Sequence, residues 1–338
     1  MSRPQSRDEY RRQMAEAFVN VLEEKGLEWR KDWHMKGTDA PHNGITKACY
    51  RGTNAFWLSL VSMARGYDDP RWVTMIQIMD RDGKYHPKEK WHLKAGSKAV
   101  YVEYWYPFDL KNRTALTWEQ FKTELSNGRS ESEFKLSTRY TAVFNAKDVE
   151  GMPERVKSAV PSFDMDKLVG RLSENMGVPI YFDGSYAPSY SPSNDSIHMP
   201  SLESFDDGYA LNSAALHELA HSTGHPSRLR RLQDGILGSP EYAYEELVAE
   251  MSACFMGADL DFTASAKHIE NHKAYVQNWI QAIRDKPEAL VKAVKDAQSA
   301  AAYMDWKAEL ISEKEYSELR GKSFEIPVRI APKRDMER

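Results

Sequence analysis

Leu216–His225 reads LHELAHSTGH, and the spacing of its histidines decides how the second half of the chain is built. His217 and His221 stand four residues apart, so on a helix they share one face, one turn apart, and both reach a single ion. Glu218 lies beside them but offset from that face. This suits a base acting on water, not a third ligand.

A hydrolytic metal site needs a third protein ligand and an open position for water. SPEYAYEELVAEM, Ser239–Met251, supplies the candidates. Ser239 reads as an N-cap with Pro240 at the first helical position. Glu246 and Glu250 follow one turn apart, so one carboxylate would ligate metal while the other hydrogen-bonds a ligand histidine and fixes its orientation. An HExxH, a short loop and an acidic amphipathic helix, in that order, is the gluzincin arrangement. His225 extends the histidine run, but Gly224 breaks the helix before it, and a supporting or structural role is expected. Tyr242, one turn before Glu246, is placed to donate a hydrogen bond to an oxyanion, with packing as the alternative. Asp195 is a candidate to line the cleft. Cys254 reads as a small buried apolar residue.

The 338 residues are 41% hydrophobic and 28% charged, enough for about two domains with real cores. No run approaches the ~18 apolar residues of a membrane span, and MSRPQSRDEYRRQ lacks the apolar centre of a secretory signal. Cys49 and Cys254, far apart and without a CxxC, fit neither a disulfide framework nor a cysteine metal site; a reducing cytoplasm is the expected location. The net charge of −4 is uneven. Residues 1–150 hold 25 Lys and Arg against 21 Asp and Glu, and the remainder 21 against 29. Seven of the nine tryptophans also lie in the first 150 residues, so the halves are suited to different tasks.

Tyr10, Met14, Phe18 and Val21 predict a helix ended by Gly26. A second helix is expected through NAFWLSLVSMARGY, then a turn and a short helix in DDPRWVTMIQIM. HLKAGSKAVYVEYWY turns from basic loop to strand. Residues 111–137 read as a polar insertion, and RYTAVFNAKDVEGMP as a strand ending in a turn. After a boundary near 151–165 come a helix (DMDKLVGRLSENMG), a short strand (VPIYF), a turn-rich run, an edge strand (IHMP) and two helices at about 207–223 and 240–256 joined by a basic loop. The chain is helical again from His268, with a polar tail after 320. The expected fold is α+β in two domains: an N-terminal α+β domain over 1–155, a mainly helical metal domain over 156–306, and a C-terminal tail over 307–338.

In the first domain, basic and aromatic residues interleave: Arg51, Trp57, Arg65, Tyr67, Arg71, Trp72, Lys94, Lys98, Tyr101, Tyr104 and Trp105. Aromatic faces stack on unpaired bases while Lys and Arg follow phosphates, which suits sequence-tolerant binding of single-stranded DNA. Of these, Arg51, Trp57, Arg71, Trp72, Lys94, Lys98 and Tyr101 are the expected DNA contacts. Gly52 and Gly96 would let backbone approach such a ligand. The competing reading places most of the tryptophans in the core.

NGITKACYRGTNAFWLSL, GYDDPRWVTMIQ, WHLKAGSKAVYVEYW and VFNAKDVEG together resemble the N-terminal single-strand-binding domain of ArdC-type antirestriction proteins. NDSIHMP, LHELAHSTGHPSRLRR and YAYEELVAEMSACF resemble the zincin-like metallopeptidase domain that follows it in that family. TraC-type primases of conjugative plasmids carry a related N-terminal domain. The resemblance runs over roughly residues 10–306, apart from 111–137. It implies proteins of plasmids, conjugative elements and phages that protect incoming DNA from restriction. It also implies a metal held by His217, His221 and Glu246, with Glu250 in support and Glu218 catalytic. One zinc per chain is expected, although His₂Glu sites also accept manganese or cobalt. The expected partners are single-stranded DNA and a protein substrate from host defence, with no membrane. The rival expectation is a non-enzymatic protein that coats single-stranded DNA, its metal domain serving structure or partner binding.

Overall fold

The computed structural model describes residues 3–26, 29, 40–86, 90–155, 164–205, 207–231, 239–259 and 273–321. Several expectations therefore lie partly outside the described residues: the boundary stretch at 156–163, the middle of the basic loop at 232–238, the helical start at His268 and the tail beyond 321.

Helix α1 (Arg7–Lys25) begins where Ser6 accepts from the Glu9 amide, and it buries Tyr10, Met14, Phe18 and Val21 as their spacing predicts. It ends at Gly26, whose φ of 53° favours glycine. Helix α2 (Gly52–Arg65) buries Phe56, Trp57, Leu58, Leu60 and Val61. Between and beyond these helices run β1 (His42–Asn43), β2 (Arg71–Thr74), α3 (Met75–Met79), β3 (His92–Leu93), β4 (Val100–Asp109), β5 (Thr114–Ala115), α4 (Trp118–Ser126), β6 (Phe134–Asn145) and β7 (Val149–Glu150). The main sheet has the order β1-β2-β6-β4-β5.

Two expectations change here. RWVT, read as part of a turn, is a strand: Trp72, Val73 and Thr74 pair with Asn145, Phe144 and Val143 of β6. Residues 111–137, read as a polar insertion, join the sheet at 114–115 and 134–137 and hold a helix between. Strands β4 and β6 pair from Val100↔Val143 to Asp109↔Phe134, a ribbon whose far end carries β5 and α4. Most side chains of this end are not buried, so no apolar alternation marks it in the sequence. A Thr117–Gln120 capping box starts α4. Arg129 reaches Asp109 at 2.5 Å, with Glu124 and Glu133 at 3.2 and 3.1 Å.

The second half contains α5 (Met165–Met176), β8 (Ile180–Phe182), β9 (Ser189–Ser191), β10 (Ser196–Met199), α6 (Gly208–Ser222), α7 (Pro240–Asp259), α8 (Lys273–Asp285), α9 (Pro287–Lys307) and α10 (Glu313–Gly321). Its sheet order is β8-β10-β9. The IHMP stretch is therefore the central strand, not an edge: Ile197 faces Ile180 in parallel and Tyr190 in antiparallel pairing. The unread partner is SYS, hidden inside the turn-rich run. Within the stretch read as a tail, α10 docks by stacking Tyr316 on Trp306 at 4.8 Å.

One apolar core joins α1, α2, β4 and β6 to α7, α8 and α9. A second gathers α5, β10, α6, α7 and α9. Helix α9 serves both because its buried residues, Leu290, Ala293, Val294, Ala297, Ala300, Ala301 and Met304, recur at helical spacing. Its small alanines let it pack against α7. Mixed helix and strand content is thus borne out. Among the described residues, no helix is long and apolar enough to cross a membrane.

Candidate metal centre and nucleic-acid face

Helix α6 starts at Asp207, whose Oδ1 accepts from the Ala210 amide at 2.8 Å. Leu216, Leu219 and Ala220 are buried in the second core, which turns His217 and His221 towards α7. Helix α7 starts at Ser239, whose Oγ accepts from the Tyr242 amide at 3.2 Å. It faces α6 with Glu245, Glu246 and Glu250.

The ligand atoms converge. Nε2 of His217 and Nε2 of His221 are 3.1 Å apart. Glu246 places one carboxylate oxygen 3.5 Å from the first and the other 3.5 Å from the second. The donor set is two imidazole nitrogens and one carboxylate, with all three ligand atoms within 4.8 Å of one another. That set fits a divalent ion with a remaining open position. Behind each ring lies another carboxylate. His217 Nδ1 is 3.6 Å from Glu250, and His221 Nδ1 is 3.4 Å from Glu245. Such partners fix which nitrogen faces the ion and how the ring is turned.

The electrostatics follow. Burial opposes a charge on His217, but Glu250, Glu246 and Glu218 outweigh it and push the pKa up to about 9. Burial likewise opposes ionisation of Glu246; His217, His221 and the Tyr242 hydroxyl hold it down to about 2. Partial burial opposes ionisation of Glu245 too, but Arg231 with His221 keeps it below the usual carboxylate range.

Other sequence candidates fall in different places. Glu218 is buried, 7% exposed, beside the ligand pair. Tyr242 is half-buried on α7, near enough for its hydroxyl to help keep the Glu246 carboxylate ionised. His225 turns away from the ligand pair: its Nδ1 is 2.7 Å from Ser227 Oγ and 3.9 Å from Asp195. The helix ends at Ser222, as Gly224 suggested. Asp195, with φ of 50°, is clasped by both arms of Arg228 and by the Tyr190 hydroxyl at 2.7 Å. Arg228 also donates to the Ser222 carbonyl at 2.7 Å, tying the β10 entry to the end of the metal helix. Cys254 is buried, as expected.

Two contributors were missed. Glu245 takes the place behind His221, and Arg231 grips both its oxygens at 2.7 and 2.8 Å while donating to the Ala220 carbonyl. The only sequence signal was the paired Glu245-Glu246, where neighbouring carboxylates lie 100° apart on one helix, so that Glu246 faces both Nε2 atoms while Glu245 reaches Nδ1 of His221.

On the first domain, Trp57 and Trp72 are 1% and 0% exposed. They are core residues, which corrects their assignment as base-stacking groups. The apolar faces of α2 and β2 need large side chains, and these tryptophans supply them. Arg71 is held by Asp69 through Nε at 2.9 Å and Nη2 at 2.7 Å. Arg51, Lys94 and Lys98 are exposed, and Tyr101 is half-buried. Lys94 donates to the Lys147 carbonyl, and Arg65 to that of Lys98.

Comparisons with known proteins find two family models along the chain. Residues 8–144 match the family model of the N-terminal domain of anti-restriction factor ArdC, and residues 167–296 that of a zincin-like metallopeptidase. A DNA primase TraC of Escherichia coli is 30% identical over 303 residues, covering 86% of this chain and 26% of the primase. The chain thus spans about a quarter of that relative. The uncharacterized protein y4eC of Sinorhizobium fredii is 28% identical over 320 residues, 94% of this chain and 97% of its own. In fold, the chain is similar to the crystal structure of antirestriction ArdC from the R388 plasmid, metal-free and Mn(II)-bound. Both have a TM-score of 0.66 at 24% identity; they cover 90% and 89% of this chain and 99% of theirs.

Proposed function

We propose, from the premise that this chain is an ArdC-type protein with an ArdC N-terminal domain and a zincin-like metallopeptidase domain, that it is a zinc-dependent peptidase recruited to single-stranded DNA. The observation that carries the reading is the convergence of His217, His221 and Glu246, each histidine backed by its own carboxylate. These three residues would hold the ion, one per chain. A bound zinc supplies Lewis-acid polarisation of a carbonyl and acidification of water.

The chain's own groups do the rest. Glu218 is the base: its carboxylate accepts a proton from the attacking water and returns it to the leaving nitrogen. Glu250 and Glu245 keep the imidazoles turned with Nε2 inward. Tyr242 steadies Glu246 from its hydroxyl. Residues 1–155 would hold the DNA, with Arg51, Lys94, Lys98 and Tyr101 accessible to it, and residues 156–306 would cleave a protein of host defence during entry of a mobile element. We place the protein in the cytoplasm, where both would be met.

The test compares wild type with Glu218→Gln, loaded with zinc, on casein and on self-incubation followed by gel. Glu218→Gln should keep the metal and lose cleavage by at least a hundredfold, in line with general acid–base contributions of roughly 10²–10⁴. Equal cleavage by both proteins sinks the assignment of Glu218. Metal in both with cleavage in neither, while antirestriction activity survives in Glu218→Gln, favours the coating-protein reading.

A further inference from the structure

We propose that the outer end of the β4–β6 ribbon is a base-stacking strip for single-stranded DNA, built from Tyr104, Tyr106 and Phe108 with Arg139 and Lys135. The inference deepens the DNA-binding reading above and rests on it.

Alternation puts residues 104, 106 and 108 on one side of β4. Register then sets Arg139 opposite Tyr104 and Lys135 opposite Phe108 on the same side. The three rings are half-buried, and both cations are exposed. The Arg139 guanidinium lies 4.5 Å from the Tyr104 ring centre and 5.8 Å from that of Tyr106; the Lys135 ammonium lies 5.2 Å from that of Phe108. Tyr104 and Tyr106 are nearly parallel, 15° between planes, with centres 6.4 Å apart. That is about twice the ~3.4 Å rise of a stacked strand, so successive rings are spaced for bases pulled out of their stack.

Charge sorts the same way. The acidic residues of β4, Glu103 and Asp109, fall on the opposite alternation, and both are buried and engaged: Glu103 by Trp105 and Tyr140, Asp109 by Arg129. The strip therefore offers rings and positive charge with no carboxylate among its five residues. An aromatic–cation alternation of this kind suits a polyanion whose bases are unpaired, and it asks for no particular sequence because every base has a π-face. A core role does not explain it, since the rings are not sealed from solvent and the cations sit over them at the surface.

The experiment uses the whole chain and a fluorescein-labelled oligo(dT) in anisotropy titrations at several salt concentrations. It is joined by photocrosslinking of wild type with 5-iododeoxyuridine oligonucleotides, mapped by mass spectrometry. Tyr104→Leu and Tyr106→Leu should each weaken binding about tenfold, as loss of one stacked base implies, while the Phe variants bind as wild type. Arg139→Gln should flatten the salt dependence by about 0.7 in slope. Crosslinks should fall on Tyr104 or Tyr106. Wild type that binds no single strand sinks the parent reading, and the strip with it. Wild type that binds, with unchanged affinity in the Leu variants and crosslinks at Arg51, Lys98 or elsewhere, overturns the strip and leaves the parent reading standing. The crosslinking arm does not depend on whether a variant folds.

Discussion

Glu245 and Glu250 stand on one helix and back different histidines. Removing the carboxylate behind His221 leaves its ring free to turn. Glu245→Gln should therefore weaken zinc binding by about 10–100-fold, read by competition with a chromophoric chelator; unchanged affinity would show that the ring is held otherwise. Protonation competes at the same place. A metal takes only neutral imidazole, and His217 in the metal-free protein keeps its proton up to pH about 9. Apparent affinity should consequently rise with pH from 6 to about 9 and then level. Calorimetry in buffers of different ionisation enthalpy should find about one proton released per ion at pH 7; affinity flat across that range contradicts the assignment. The pairing of the two histidines on one helix face was legible because their spacing is set by the helix itself. Which glutamate backs which ring was not, because the packing of α7 on α6 decides it. The tryptophans show the same limit: a core ring and a stacking ring are one letter, and only the burial of Trp57 and Trp72 separates them.

Elements carry the site to within reach of itself. Helix α6 depends on its Asp207 cap, where one carboxylate oxygen meets the Ala210 amide. Asp207→Ala should lower unfolding free energy by ~1 kcal/mol, measured by urea titration, while leaving metal stoichiometry intact; no loss of stability would mean another group takes over the cap. The Ser239 cap and the Pro240 start of α7 were readable for the same local reason. Strand partners were less so. IHMP looked like an edge because its neighbour β9 is three residues inside a turn-rich run. Within 111–137, residues 114–115 and 134–137 carried no strand signal because their pairing with β4, not their own pattern, places them in the sheet.

At the scale of the molecule, the charge contrast between the halves suggested different tasks, and the main apolar core crosses between them. Met14 and Phe18 of α1 share a cluster with Trp279, Ile280, Leu290 and Val294 of α8 and α9, and Gln298 of α9 donates to the Gly52 carbonyl at the start of α2. Folding should accordingly be cooperative over the whole chain. Differential scanning calorimetry of the metal-free protein should give one transition with calorimetric and van't Hoff enthalpies in agreement. Two transitions well apart in temperature would restore the picture of separate domains. Sequence shows which residues are apolar, but not that α9 would be shared by both cores.

The most direct test of the metal centre is elemental analysis of purified protein after zinc loading and desalting, with wild type beside Glu246→Gln and Glu250→Gln. The prediction is about one zinc per chain in wild type, loss in Glu246→Gln, and retention with weakened affinity in Glu250→Gln. Full zinc in Glu246→Gln, or none in wild type, would contradict a site built from His217, His221 and Glu246.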